Sequence, residues 1–374
     1  AKNNKIIVVL SAMSGVTNQI QNYIDEINSN QSIENDLLLT SGENVTIALL
    51  SAILNNKKIK SIPLLGWQIP IITDNNFQKA KILNIDKIRL DNFLEQFNVL
   101  VIAGFQGINY EGYITSLGRG GSDTTAVAIA SVTNADRCDI YTDVEGVYST
   151  DPNVVPDARK ISKLAFEEML EMSSTGAKVL HPRSVELAMK NNLVLQVLSS
   201  ITNKPGTFII DDNNLIEKEI VSGVSYSSNE SKITISGIPD KPGISALIFG
   251  ILADKNINVD MIVQNISQDG INANITFTVP NNELNYAKEI LQNNLNKINF
   301  KTLKTDQKVS KISVIGMGMM SQSGVAQKMF KTLANNFINI LAISTSEIKI
   351  SVLIDEKFTN IAVKSLHEAY NLNK

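Results

Sequence analysis

The last part of this 374-residue chain repeats itself, and the repeat limits the folds open to it. Ile233-Thr234-Ile235-Ser236-Gly237 corresponds to Ile312-Ser313-Val314-Ile315-Gly316, and Pro242-Gly243-Ile244 to Ser323-Gly324-Val325. Phe249 matches Phe330, and Ile257-Asn258-Val259 matches Ile338-Asn339-Ile340. Each copy reads strand, glycine turn, helix, strand, strand, which is a β-α-β-β unit. Two copies are too few for a solenoid, so they are expected to pair face to face or edge to edge. A polar stretch over 211–230, headed by Asp211-Asp212-Asn213-Asn214, marks a boundary before them.

Ahead of that boundary, apolar strands alternate with helices. Ile6–Leu10 is a β-branched run ending in Ser11-Ala12-Met13-Ser14-Gly15, and Thr17–Ile27 follows with helical spacing. Leu37–Ser41 leads into Gly42-Glu43 and the apolar helix Val45–Leu54. Ile59–Leu64, Leu100–Ala103 and Ile140–Thr142 read as further short strands. Buried strands separated by helices predict a mostly parallel sheet covered on both faces. Ligands of such sheets sit at the strand C-terminal ends. Ser11, Gly104, Thr142 and Asp143 all fall at or just past such ends, which points to one site.

Within this part lies Gly118-Arg119-Gly120-Gly121-Ser122-Asp123-Thr124-Thr125-Ala126, opening a helix that continues to Val132. Glycines let successive N–H groups turn toward one point, and a helix N-terminus adds its positive end, so the element suits an anion. Arg119 can grip a carboxylate or phosphate with two parallel hydrogen bonds. The plainer alternative is a glycine loop with Ser122 or Asp123 as an ordinary N-cap.

The balanced charge (net −3) and the absence of a Lys/Arg stripe argue against nucleic acid as a partner. The single Cys138 excludes an intramolecular disulfide framework, fits a reducing cytoplasm and reads as a buried thiol. Two histidines and one cysteine give no zinc spacing. No apolar run reaches membrane-spanning length, so no membrane partner is expected. No Gly-Lys-Ser/Thr ending marks a P-loop.

Taken in order, the motifs resemble those of aspartokinase. They are Ser11-Ala12-Met13-Ser14-Gly15, Val101-Ile102-Ala103-Gly104-Phe105-Gln106-Gly107, the Gly118–Ala126 loop, Tyr141-Thr142-Asp143-Val144-Glu145-Gly146-Val147-Tyr148 and Gly176-Ala177-Lys178-Val179-Leu180-His181-Pro182. The C-terminal pair, with Pro239-Asp240-Lys241-Pro242-Gly243 and Ile343-Ser344-Thr345-Ser346-Glu347, is similar to tandem ACT domains. The resemblance implies an α/β fold: an amino-acid-kinase αβα sandwich over 1–213, then two ferredoxin-like βαββαβ ACT domains over 214–304 and 305–374. A strand from 219–226 could complete the second ACT unit.

The implied reaction moves the γ-phosphoryl group of ATP, with Mg²⁺, to the side-chain carboxylate of L-aspartate. The product is 4-phospho-L-aspartate, and the step opens the lysine, threonine and methionine (diaminopimelate) pathway. By matching motif, Thr17, Glu43, Arg119, Ser122 and Asp123 hold aspartate, with Arg119 on the α-carboxylate and Glu43 and Asp123 on the α-ammonium. Ser11 and Gly15 lie near the transferred group, so the catalytic set is Ser11, Gly15, Arg119 and Asp123. Thr142, Asp143, Tyr148 and Lys178 hold ATP, and no side-chain metal site is implied. Asp240, Gly243, Ile244, Gln264, Asn265, Ser323, Gly324, Val325 and Asn339 are the implied effector residues, for lysine, threonine or both. A homodimer or higher oligomer through the ACT units and a cytoplasmic location complete the expectation.

Alone, several of these residues have plainer readings. Glu43 suits a helix first turn, Asp143 an Asx turn and Lys178 a solvated side chain; the resemblance reverses all three. His181 before Pro182 stays structural, and Trp67 stays core or dimer contact. The family opens with a strand and a Lys-Phe-Gly-Gly-Thr-Ser loop that the printed sequence does not contain, so this chain as given is expected to be inactive or nearly so. Asn153 stands where many relatives have arginine, and Met320 and Gln322 where arginine and histidine are common, which weakens a nucleotide contact and an effector contact. The competing readings are a different amino-acid kinase, acting on glutamate or an acetylated relative, and a non-catalytic effector-binding subunit.

Overall fold

The computed structural model describes residues 4–27, 33–175, 179–212, 219–267 and 270–374. It divides into two units: Ala1–Gly146, Ser162–Leu170 and Lys178–Asn214 in the first, and Val147–Ile161, Glu171–Ala177 and Leu215–Lys374 in the second.

The first unit starts with β1 (Ile6–Leu10), α1 (Val16–Ile27), α2 (Ile33–Leu39), α3 (Ser41–Asn56) and β2 (Ser61–Leu64). Then come β3 (Ile71–Thr73), β4 (Ile82–Ile85), α4 (Lys87–Gln96), β5 (Val99–Ala103), β6 (Gln106–Asn109), β7 (Ile114–Ser116) and α5 (Gly121–Val132). It ends with β8 (Cys138–Thr142), β9 (Lys163–Ala165), α6 (Phe166–Ser174), α7 (Pro182–Lys190), β10 (Leu195–Ser199) and β11 (Thr207–Ile210). β5 lies between β1 and β2 and is parallel to both. Every β5 residue is buried, and the strand's two-residue period divides them. Leu100 and Ile102 join a core with Leu64, Ile71, Leu90 and Ile129, whereas Val99, Val101 and Ala103 pack with Ile47. Burial on both faces is why this strand is a continuous apolar run.

The expected parallel strands are present, but the hydrogen-bonded ladders divide them. β8 and β10 pair in parallel in a separate sheet of order β8-β10-β11-β9, in which β10 and β11 run antiparallel. A third sheet, β4-β3-β6-β7, combines two antiparallel pairs with the parallel pair β3–β6. The helical stretch Ile33–Asn56 is long and apolar enough to cross a membrane, contrary to the sequence expectation. It is two helices that meet at Thr40, and it buries Asp36 and Glu43 among polar partners of the same unit. Those buried carboxylates argue for a place in the unit's packing, because a charge in hydrocarbon is costly.

The second unit's ACT-type part contains β12 (Gly223–Pro239), α8 (Ile244–Ala253), β13 (Asp260–Ile266), β14 (Asn272–Val279), α9 (Leu284–Asn293) and α10 (Leu295–Ile298). It continues with β15 (Thr302–Ile315), α11 (Val325–Asn335), β16 (Ala342–Thr345), β17 (Lys349–Asp355) and α12 (Thr359–Ala369). The six strands run β13-β14-β12-β15-β17-β16, all neighbours antiparallel. β12 and β15 pair at both ends: Gly223–Ser227 with 311–315, and Lys232–Ser236 with 302–306. One sheet therefore joins both repeats. One core gathers Ile233, Ile248, Phe277 and Leu291, and the other Ile312, Met329, Val352 and Leu366. The segment Val147–Ile161 contributes Val155 to the latter.

Lys311 of β15 is 4% exposed, 3.3 Å from Glu230 and 2.5 Å from Asp260. Burial lowers its pKa, but the two carboxylates outweigh that and raise it overall. Asp260 is about half exposed, but removing the lysine strands the charge of buried Glu230. Lys311→Met is expected to destabilise the second unit by about 3–5 kcal/mol in urea unfolding; a change below about 1 kcal/mol would show the cluster to be solvated.

Candidate active site

Four segments of the first unit converge where β1 and β5 end. Past β5, the Gly104 N–H donates to the Leu10 carbonyl at the end of β1 (3.0 Å). A Cβ on Gly104 would lie 2.7 Å from Ser122 Oγ, so only glycine lets this turn approach the start of α5. The next residue, Phe105, has a left-handed φ of 66° and donates its N–H to Thr125 Oγ1 (3.1 Å). The turn after β5 is thus fastened to the first two turns of α5.

On the other side, the Ser11–Gly15 turn docks on the start of α3. A Cβ on Gly42 would meet the Ala12 Cβ at 2.6 Å. That close approach brings the Ala12 N–H to Glu43 Oε1 (3.1 Å), and Thr46 Oγ1 donates to the Ser11 carbonyl (3.0 Å). Glu43 is 3% exposed, and its Oε2 is buried with no hydrogen-bond partner among the described residues. Burial raises its pKa, partly offset by the Ala12 N–H. A buried carboxylate held by backbone N–H groups, with one oxygen left open, suits a cationic ligand group. Glu43 does occupy the first turn of α3, as its plainer reading held, yet its open oxygen is more than a dipole partner needs. Thr17 is half-buried in α1, just past the turn.

The Gly118–Asp123 segment closes the group. Gly118 and Gly120 take left-handed φ values of 76° and 66°, and α5 begins at Gly121 with no side chain capping it. The Gly121 N–H donates to the Gly118 carbonyl (3.0 Å), which leaves the Ser122 and Asp123 amides of the first turn to face an anion. Arg119 is exposed and has no partner among the described residues. Asp123 is half-buried, also without a partner, and loss of water pushes its pKa up to about 6. His181 caps α7, accepting the Arg183 N–H at Nδ1 (3.3 Å), and packs so closely on Gly120 that no Cβ fits there. This is the structural role expected of it.

The residues expected to hold ATP are not gathered in the same way. Thr142 ends β8, donating to Asp143 Oδ1 (3.1 Å) while its carbonyl accepts from the N–H and hydroxyl of Ser200. Tyr148 belongs to the second unit, bridged to Lys160. Lys178 lies outside the described residues. Among the described residues no three His, Cys, Asp or Glu side chains cluster to hold a metal. Trp67, expected in a core or a dimer contact, is 47% exposed and so is not core. Cys138 is buried as expected, and burial pushes its thiol up to about 12.

In the second unit, Gly243 and Gly324 precede α8 and α11 with φ of 92° and 95°, in open surroundings, so backbone shape and not space selects glycine at both. Ile244 and Val325 behind them are buried. Gln264 on β13 accepts from Ser245 Oγ in the first turn of α8 (2.8 Å), and Asn265 follows it on the strand. Asp240, Ser323 and Asn339 are exposed.

The first unit thus sets a glycine loop, one cation and two carboxylates near its strand ends, and the second holds two copies of a β-α-β-β unit on one sheet. Residues 1–199 match the amino acid kinase family, and residues 224–295 and 312–370 match the ACT domain. The chain belongs to the amino acid kinase family and, within it, to the aspartate kinases. It is 48% identical over 372 residues to an aspartate kinase of Pseudomonas fluorescens, covering 98% of this chain and 90% of that protein. The structure of E. coli aspartokinase III in complex with aspartate and ADP shares the fold, with a TM-score of 0.82 at 24% identity, over 97% of this chain and 92% of that one. The same enzyme in complex with lysine and aspartate has a TM-score of 0.73 at 25% identity, over 98% and 93%.

Asp123 supplies a pH test. Its carboxyl is raised from an ordinary 3.8 to about 6, so the folded state favours the protonated form. That stabilisation is full below the unfolded value and is lost as pH rises through 6. Asp123→Asn is expected to stabilise the chain by about 1–2 kcal/mol at pH 7.5, after allowing for partial exposure, and by almost nothing at pH 4. Urea unfolding at the two pH values reads the difference; equal effects at both would refute the assignment.

Proposed function

We propose that the site around Arg119 binds L-aspartate and transfers the γ-phosphoryl group of ATP to its side-chain carboxylate, giving 4-phospho-L-aspartate. The observation that carries this reading is that one unit holds both an exposed Arg119 and a buried Glu43 oxygen that lacks a donor. An amino acid presents a carboxylate and an ammonium at one carbon, and this pair is complementary to both. Arg119 takes the α-carboxylate, while Glu43 and Asp123 take the α-ammonium. Thr17 and Ser122 add hydroxyl contacts. The α5 amides and the Ser11–Gly15 turn face the reacting end, where donors aimed at developing charge lower the barrier.

Thr142, Asp143, Tyr148 and Lys178 hold the nucleotide. Mg²⁺ bound with ATP would supply charge neutralisation on the phosphoryl group. The chain's own part is positioning and exclusion of water, which suits phosphoryl transfer because it needs little covalent help. The reaction opens the diaminopimelate route to lysine, threonine and methionine in the cytoplasm. The paired ACT units bind lysine, threonine or both at the Gly243 and Gly324 turns, with Asp240, Ile244, Gln264, Asn265, Ser323, Val325 and Asn339 around them. They also mediate a dimer or higher oligomer. The complex that E. coli aspartokinase III forms with lysine and aspartate supports that choice of effector.

Calorimetry with a non-hydrolysable ATP analogue present tests the reading. Aspartate is expected to bind, and glutamate and N-acetylglutamate to bind at least tenfold more weakly. Preference for either of the latter would favour another amino-acid kinase. Heat from lysine or threonine with none from aspartate would favour a regulatory subunit.

A further inference from the structure

The loop that carries Arg119 has no regular hydrogen-bonded ladder of its own, yet it must hold one pitch to present a cation. Its support comes from two buried or half-buried charges of opposite sign. Asp36 on α2 is fully buried, and both its oxygens accept from backbone. The Gln78 N–H reaches Oδ1 and Oδ2 (3.0 and 3.1 Å), the Ser116 N–H reaches Oδ2 (2.7 Å), and Ser116 Oγ donates to Oδ1 (2.9 Å). Arg183, in the first turn of α7, directs its guanidinium at carbonyls instead: Nη1 donates to Leu117 O (2.9 Å) and Nη2 to Ala80 O (2.8 Å).

Both charges therefore grip the same two stretches of chain, 78–80 and 116–117, one through N–H groups and the other through carbonyls. The two stretches are also tied directly, Ala80 N–H to Ser116 O (3.0 Å). Gly118 then packs on Gln78, where a Cβ would lie 2.8 Å from the Gln78 carbonyl. Arg119 is the next residue. Neither Asp36 nor Arg183 is needed by the chemistry, and neither sits at a strand end.

Resting on the reading of the Arg119 site above, we propose that Asp36 and Arg183 form a two-sided backbone clamp that fixes the pitch of the Gly118–Gly121 loop. They act as positioning residues for the amino-acid substrate through Arg119. The polarity explains the residue types. A carboxylate can accept from several amides at once, and a guanidinium's planar fork spans two carbonyls that an ammonium cannot. Asp36 also bears on the Glu43 arm, because its carbonyl accepts from Thr40 just before α3. The clamp thus links the element holding the ammonium acceptor to the loop holding the carboxylate donor.

Calorimetry on the full chain separates this role from general stability. Arg183→Met and the milder Arg183→Lys are expected to weaken aspartate at least tenfold and about threefold respectively, with affinity for the ATP analogue changed less than twofold. In an Arg119→Lys background, Arg183→Lys should cost less than twofold, because Arg183 acts only through that loop. Asp36→Asn combined with Arg183→Lys should weaken aspartate by less than the product of the two single effects. Equal losses for both ligands, or full additivity with Arg119→Lys, would overturn the clamp. Failure of the unsubstituted chain to bind aspartate would instead overturn the reading of the site.

Discussion

Close approach of neighbouring segments at four glycines is the constraint on which the first unit depends. At Gly42, Gly104, Gly118 and Gly120 the neighbouring segment lies where a Cβ would have to be. Gly42 joins the turn after β1 to the start of α3, Gly104 joins the turn after β5 to the start of α5, and Gly118 and Gly120 rest on Gln78 and His181. A methyl group at any of them would push its neighbour away and shift the turn or helix start held there. The apolar strands supply the platform: β5, buried on both faces, fixes where the turns begin.

Charge placement follows from that packing. Glu43 and Asp123 give up water, and both carboxyls shift upward for that reason. Arg119 keeps its water and stays unpaired. A site that leaves its acids desolvated and its cation free is destabilised until a ligand with both charges arrives, and functional sites commonly give up stability for binding in this way. The second unit behaves in the opposite manner. Lys311 meets Glu230 and Asp260 within the fold and needs no ligand to be satisfied. Its two glycine turns, Gly243 and Gly324, keep the same backbone shape in both repeats, as the repeated sequence requires.

Much of this was legible in the chain, and the residues show why. Ile6–Leu10 and Leu100–Ala103 announced their strands because both faces are apolar. Ile140–Thr142 lies at the end of β8, and the repeat announced the paired β-α-β-β units. The sheet β4-β3-β6-β7 was not legible, since its strands are three or four residues long and carry Asn, Gln and Thr among few apolar residues. Nor was the role of Asp36 legible. In sequence it is one acid in Asn35-Asp36-Leu37, and its partners are 42 and 80 residues away. Glu43 and Arg119 could be picked out by type and motif, but the open Oε2 of Glu43 is a fact of packing. Pairing partners were what periodicity could not supply: β12 and β15 each serve both repeats, in a register that shifts between Ser227 and Lys232.

Whether Glu43 receives the substrate's ammonium is tested most directly by calorimetry. L-aspartate would be compared with succinate, which has both carboxylates and no ammonium, on the unsubstituted chain and on Glu43→Gln. The substitution is expected to weaken aspartate at least tenfold and to leave succinate within about twofold, since only aspartate carries the group that Oε2 awaits. Equal weakening of the two ligands, or no change in either, would contradict that role for Glu43.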